Sequence, residues 1–260
     1  MTLLERLNPS VKLLVLSALS LSLLVVFDPW TPGTLYLLCL GAAGVGRQVR
    51  VRTLLVGQVP FALFGLGSFT VNAVTRGGAV IWSAGPLEVT DDGIAVGLAL
   101  ALRTLVVGVA VIAFLSSTDP ARLLSSLRQQ LRLPARASYA LLVGYRVLDE
   151  LPEQWLTIRR AHAARHPDPR TSRNGRLPLT PALAWRATMS LLVVALRRGE
   201  RLAIVMETRG LGAGPRTIWR PTPVTRHDLV FAVISVGVLA LVFALTALTG
   251  RLAGPTSLTG

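Results

Sequence analysis

The sequence predicts an all-α integral membrane protein: about five transmembrane helices, with three amphipathic helices on the cytoplasmic side. Three observations carry that reading. The 260 residues are 52% hydrophobic and only 15% charged, with a mean hydropathy of +0.57. Five apolar runs approach the roughly 20 residues needed to cross the hydrocarbon core. Basic residues cluster in alternate loops, as cytoplasmic loops require. A soluble domain of this size has no need of uninterrupted apolar runs.

The first run, 11–27 (VKLLVLSALSLSLLVVF), is not followed by a small-residue cleavage site, so it reads as a retained span and not as a removed signal peptide. The second, 33–46, is short and glycine-rich. The third and fourth cover 53–75 and 93–115, and the fifth is 229–249 (LVFAVISVGVLALVFALTALT).

Arg6 and Lys12 lie at or before the first span, and Arg47, Arg50 and Arg52 lie between the second and third. The loop 28–33 has no basic residue; 76–92 has Arg76 alone, with Glu88, Asp91 and Asp92. This asymmetry puts the N-terminus in the cytoplasm. Five crossings then leave the C-terminus outside, where only Arg251 follows. The chain divides into an N-terminal membrane domain, 1–115, a cytoplasmic block, 116–228, and a C-terminal span with its tail, 229–260.

The cytoplasmic block holds 19 arginines against eight acids, which accounts for most of the net charge of +14. Lys12 is the only lysine. A nucleic-acid interface would interleave basic residues with exposed aromatics on a soluble domain, and nothing here has that pattern, so no nucleic-acid partner is expected. Cys39 is the sole cysteine, lies in an apolar run and has no partner for an intrachain disulfide.

Within this block the spacing predicts three helices. The first opens at STDP, where Thr118 or Asp119 suits the N-cap and Pro120 the first turn. It carries Leu124, Leu127 and Leu131 on one face and stops at Pro134. The second covers 136–165, with Leu141, Tyr145, Leu148, Trp155, Ile158 and His162 near three-and-four spacing. Pro152 predicts a kink in it. After the breaker-rich link HPDPRTSRNGRLPLTP comes the third, 181–209, whose Leu192, Leu196, Gly199, Ala203 and Met206 form one stripe. It is too charged to span and too apolar on one side to stand alone, so it is expected along the membrane surface or against another integral protein.

Both long helices end on an arginine, in Ala164-Arg165-His166 and in Thr208-Arg209-Gly210. A cation suits the negative end of a helix dipole, and Gly210 suits a C-cap. Helix-end chemistry explains either ending alone. Two long amphipathic helices in one block, each delivering an arginine at its tip, are also placed to enter a partner's groove and meet a carboxylate with bidentate geometry.

Other candidate chemistry fades. His162 and His166 have metal-clamp spacing, but His227 is distant and no third ligand stands nearby, so no metal site is expected. Asp149, Glu150 and Glu153 read as a solvated face offsetting local arginines, not as catalytic carboxylates. Gly93 and Gly97, and Gly41 and Gly44, suit close helix packing. No cofactor is expected, and no G-x-x-x-x-G-K-[ST] phosphate loop exists, so the chain is not expected to be an enzyme. Arg103, near the middle of the fourth span, is costly there and is expected to pair structurally with Asn72 or Gln58.

The chain resembles the transmembrane T component of energy-coupling factor transporters (EcfT), the CbiQ/BioN-like group, over nearly its full length. LNPSVKL (7–13) is similar to the family's Leu-Asp-Pro-x-x-Lys-Leu opening, and VNAVTRGG (71–78) to its Asn…Gly-Gly stretch. STDPARLLSSL (117–127) resembles Thr-Ser-Pro-x-x-Leu-x-x-Leu. RVLDELPEQWLTIRRAHAAR (146–165) and RRGERLAIVMETRG (197–210) resemble two coupling helices that each end in Ala-Arg-Gly. Here His166 replaces the glycine of the first ending and Thr208 the alanine of the second; Asp149 stands where a family proline is expected.

The resemblance implies that Arg165 and Arg209 dock two cytoplasmic ABC ATPases of the EcfA type. It also implies that the amphipathic helices cradle a substrate-binding membrane S component, in the cell membrane of a prokaryote, for uptake of a vitamin or metal ion. A secondary transporter would show internal repeats and midplane acids, and an integral-membrane transferase an acidic metal-binding cluster at the interface. Neither pattern is visible.

Overall fold

The structure is a computed structural model and describes residues 3–45, 51–84, 87–131, 133–165, 180–211 and 221–249. Five apolar helices stand in the predicted places: α2 (Pro9–Leu23), α3 (Trp30–Val45), α4 (Val51–Thr75), α5 (Asp91–Ser117) and α9 (Arg226–Leu248). Among the described residues only α4, α5 and α9, of 25, 27 and 23 residues, are long and apolar enough to cross a membrane as helices. The 15 residues of α2 and 16 of α3 rise roughly 23 and 24 Å, short of a core about 30 Å thick. The outward side chains of the long helices are apolar, Leu55, Leu63 and Phe64 on α4 and Val233 and Leu241 on α9 among them, as hydrocarbon contact demands.

Two small elements were not expected. A single turn, α1 (Leu3–Arg6), precedes α2. Between α4 and α5 an antiparallel hairpin pairs β1 (Val80–Ala84) with β2 (Leu87–Thr90), with Ser83 opposite Glu88 and an irregularity between Val80 and Trp82. Its signal was legible: Val80, Ile81 and Trp82 are strand formers, and Gly85-Pro86 is a turn dipeptide, though those two residues lie outside the described ones.

The chain forms two compact units, residues 1–126 with 222–260, and residues 127–221. In the first, α5 is the hub, packing most extensively on α4 and also touching α2, α3 and β2, while α9 lies against α2 and α3. Leu23, Leu35, Val106 and Val242 meet at the common core of α2, α3, α5 and α9.

The α4–α5 seam is built on glycine. A Cβ on Gly97 would stand 2.9 Å from the Phe69 carbonyl oxygen, and one on Gly93 would stand 2.8 Å from that of Asn72. The helices therefore approach backbone to backbone. Gly41 and Gly44 differ, since nothing lies within 4 Å of a Cβ at either, so their expected packing role is not realised among the described residues.

A buried polar node joins three helix ends of this unit and explains the LNPSVKL stretch. Asn8 caps α2, accepting from the Ser10 amide at 3.0 Å. Its own amide donates to Asp228 Oδ1 at 2.6 Å. Asp228 Oδ2 also accepts from the Thr225 amide and hydroxyl, both at 2.7 Å, closing a capping box at the start of α9. Lys12 Nζ donates to the carbonyls of Leu4 and Ser117, both at 2.9 Å, and to Ser117 Oγ at 3.2 Å. One ammonium thus satisfies carbonyls at the ends of two helices, where the dipole favours a cation.

In the second unit, α7 (Ala135–Ala164) and α8 (Pro181–Thr208) pack on one another. The helix α6 (Pro120–Gln130) precedes them; Asp119 caps it, accepting from the Ala121 amide at 3.1 Å. Arg128 Nη1 donates to Tyr139 Oη at 3.0 Å and lies over its ring, 5.0 Å from the centroid. The helix α7 runs unbroken through Pro152.

Candidate functional site

The candidate site is the pair of arginine-tipped helices, α7 and α8. Glu150 of α7 takes a bidentate hold on Arg198 of α8, with Arg198 Nη2 donating to Glu150 Oε1 at 2.9 Å and Nη1 to Oε2. His162 Nε2 lies 3.2 Å from Ser190 Oγ. Because 150 meets 198 and 162 meets 190, the helices run in opposite directions. Arg165 and Arg209 therefore stand at opposite ends of the pair, roughly 35 Å apart at a rise of 1.5 Å per residue.

Each tip is exposed. Arg165 is the C-cap of α7, its amide donating to the His162 carbonyl at 3.3 Å, and Ala164 beside it is exposed too. His166 lies outside the described residues. Arg209 is the C-cap of α8, followed by a Schellman turn in which the Gly210 amide donates to the Glu207 carbonyl and the Leu211 amide to that of Met206, both at 2.9 Å. Gly210 has φ +72°, a left-handed conformation that costs other residues about 1–2 kcal/mol. The bare Arg-Gly ending thus has a physical cause: glycine turns the chain sharply away and leaves the arginine at the blunt end of the helix. Thr208 is exposed, its hydroxyl donating to the Val205 carbonyl at 3.0 Å.

The apolar stripe expected on α8 is not the face that meets α7. Leu192, Leu196, Gly199 and Ala203 are exposed, whereas Ala187, Leu191, Ala195, Arg198 and Leu202, one step round the helix, are the more covered positions. Trp185, Leu192, Leu196 and Ile204 leave a long uncovered apolar ridge. A ridge of that kind on a charged helix suits a membrane surface or a second apolar protein.

Glu150 offsets an arginine, as the solvated-face reading expects of the Asp149–Glu153 cluster. The expected partners of Arg103 do not take it up. Asn72 Nδ2 donates to the Ser68 carbonyl at 2.8 Å and Gln58 Nε2 to the Leu105 carbonyl at 3.1 Å. Sequence reasoning missed Lys12 and Asp228 as structural keystones; the position of Lys12 four residues after a capping asparagine was the available signal.

The profile of the CbiQ family, described as cobalt transport protein, matches residues 1–218. The energy-coupling factor transporter transmembrane protein EcfT of Thermosediminibacter oceani is 26% identical over 245 residues, covering 91% of each chain. EcfT of Bacillus subtilis is 27% identical over 257 residues, covering 95% of each. An ABC transporter ATP-binding protein of Bifidobacterium longum is 26% identical over 258 residues, which is 93% of this chain but 32% of that longer protein.

Proposed function

This chain belongs to the CbiQ family of cobalt transport proteins, and from that membership we propose that it is the energy-coupling transmembrane subunit of an importer driven by two ABC ATPases. The observation that carries the proposal is the pair of exposed arginines at opposite ends of one antiparallel helix pair. Each tip offers a guanidinium beyond the last helical turn, where it can enter a groove and hold a carboxylate by two parallel hydrogen bonds. The separation of roughly 35 Å along the pair gives each ATPase its own tip.

The Bifidobacterium longum relative lends support. In it, a segment similar to this chain stands in one polypeptide with a longer remainder, under a name for ATP binding.

Work passes through contacts that differ between ATPase states, since a ligand moves an equilibrium only by its differential affinity. The α7–α8 pair suits this role: two helices of 30 and 28 residues, clamped together by Glu150 and Arg198, transmit displacement without bending at the clamp. The apolar ridge of α8 receives a substrate-binding membrane S component, which carries the vitamin or metal ion inward. Hydrolysis belongs to the partner subunits. Ala164, Arg165 and His166, with Thr208, Arg209 and Gly210, form the two docking motifs.

The setting is the cytoplasmic membrane of a prokaryote, with the N-terminus and the α7–α8 unit inside. The β1–β2 hairpin then lies outside. With Cys39 replaced, Ser83→Cys on exposed β1 reacts with an impermeant maleimide added to intact cells. Reaction only after lysis would reverse the orientation. The functional proposal itself is tested by purifying the tagged chain from native membranes: two ATP-binding chains accompany it. A chain that purifies without them, while uptake continues in cells lacking those ATPases, would make it a secondary transporter.

A further inference from the structure

We propose that the α4–α5 face around Arg103 seats a transmembrane helix of a second integral-membrane protein, which presents a carboxylate to Arg103 at mid-bilayer depth. The inference rests on α4 and α5 as spans and is independent of the arginine tips.

Depth is the first observation. Arg103 stands twelve residues after Asp91 and fourteen before Ser117, the two ends of α5. At 1.5 Å per residue both ends are about 20 Å away. No arginine side chain snorkels that far, so the charge stays in the hydrocarbon region, where it is costly unless paired.

The second observation is the missing counter-charge. Among the described residues Arg103 has no hydrogen-bond, ion-pair or ring partner. The acids of this unit are held elsewhere: Asp28, at the start of α3, accepts from the Thr31 amide and hydroxyl, both at 2.8 Å, and Asp91, Asp92 and Asp228 stand in the first turns of α5 and α9. Gln58 and Asn72 donate their amide groups to backbone carbonyls, and neither amide oxygen accepts from Arg103.

The third observation is the shape of the surface. Arg103 is half-buried beside a cavity of about 560 Å³, lined also by Phe61, Phe64, Ser68 and Thr104. Phe64 is 70% exposed, and with Leu100 and Val107 it gives the cavity an apolar rim around one cation. Such a surface excludes a soluble partner. A lipid phosphate belongs at the headgroup level, not at mid-depth. An apolar helix with one aspartate or glutamate midway along it satisfies both rim and charge, since a carboxylate completes the bidentate pairing that arginine favours.

The test uses the full chain, donor-labelled and reconstituted in phosphatidylcholine vesicles. The probe is an acceptor-labelled leucine–alanine transmembrane peptide of about 20 residues carrying one central Glu, with a central-Leu peptide as comparison. Energy transfer is expected to show the Glu peptide binding at least about tenfold more tightly than the Leu peptide, the modest end for close charge pairs. Arg103→Leu removes the preference, and Arg103→Glu transfers it to a central-Lys peptide. Equal binding of the Glu and Leu peptides to the unaltered chain, an arm that needs no variant to fold, overturns the proposal. So does a preference that survives Arg103→Leu. Adding phosphatidylglycerol leaves the preference intact; its loss would assign Arg103 to a lipid phosphate and overturn the helix assignment.

Discussion

Reversing both tips, Arg165→Glu with Arg209→Glu, is expected to abolish ATPase docking and with it uptake. In the proposed assembly each guanidinium meets a carboxylate buried in an ATPase groove. Removing one leaves that acid desolvated and unpaired, and such truncations cost about 2–5 kcal/mol, roughly 30-fold to several-thousand-fold in affinity. A single change, Arg209→Ala or Arg165→Ala, therefore weakens assembly or uncouples hydrolysis from uptake. The double reversal replaces attraction with repulsion at both ends of the α7–α8 pair, so no second site remains to hold the complex by avidity. Folding and insertion survive, because both residues are exposed helix caps outside the spanning helices. Arg170→Glu with Arg173→Glu is the matched control: it changes charge by the same amount in the link between the helices, outside the described residues, and is expected to leave docking and uptake near normal. Pull-down of the ATPases on the tagged chain, with uptake measured in the same cells, reads both outcomes.

The next largest effect is expected from Gly97→Leu in the α4–α5 seam. Even a Cβ there meets backbone, the Phe69 carbonyl oxygen at 2.9 Å and the Phe69 Cα at 3.2 Å, so a rotamer change cannot relieve the clash. The helices must separate, and overpacking of this kind costs about 1–3 kcal/mol or more. Separation also pulls apart the Gln58–Leu105 bond that spans the seam and loosens the hub on which α2 and α3 pack. The melting temperature in detergent is expected to fall clearly below that of the unaltered chain. Gly41→Leu, at a glycine of α3 with open space around it, is expected to melt with the unaltered chain. Equal melting of the two variants would mean that the seam is not closely packed.

These two predictions mark what was legible in the sequence. Helices were, because their signals are local: apolar runs placed α4, α5 and α9, and the STDP cap placed the start of α6, where Asp119 accepts from the Ala121 amide at 3.1 Å. The caps of α5 and α8 were passed over: Thr90 accepts from the Gly93 amide at 3.2 Å, and Thr180 from the Leu183 amide at 3.3 Å. The arginine tips were legible for the same reason, since a C-terminal Arg-Gly is a short-range pattern.

Choices between neighbouring faces were not. On α8 two adjacent stripes are apolar, and periodicity does not say which meets α7; the pairing of Arg198 with Glu150, 48 residues earlier, decides it. Gly93-x-x-x-Gly97 and Gly41-x-x-Gly44 look alike in sequence, yet among the described residues only the first pair has another helix's backbone against the place of its missing Cβ. The Asn8–Asp228 bond joins residues 220 apart and leaves no local trace at either end. The partner of Arg103 was not legible either: neither Asn72 nor Gln58 accepts from it, while their amide groups donate to the Ser68 and Leu105 carbonyls.

The test that bears hardest on the two-tip docking is cross-linking from the residue before each arginine. With Cys39 replaced, Ala164→Cys and Thr208→Cys place thiols on exposed positions beside Arg165 and Arg209. The complex purified from native membranes is treated with a short bifunctional reagent, and its products are sized. Each single variant is expected to give one chain joined to one ATPase, and the double variant one chain joined to two. If neither tip captures an ATPase, or if the double variant never carries more than one, the helices do not dock two ATPases by their arginines and the tips are ordinary helix ends.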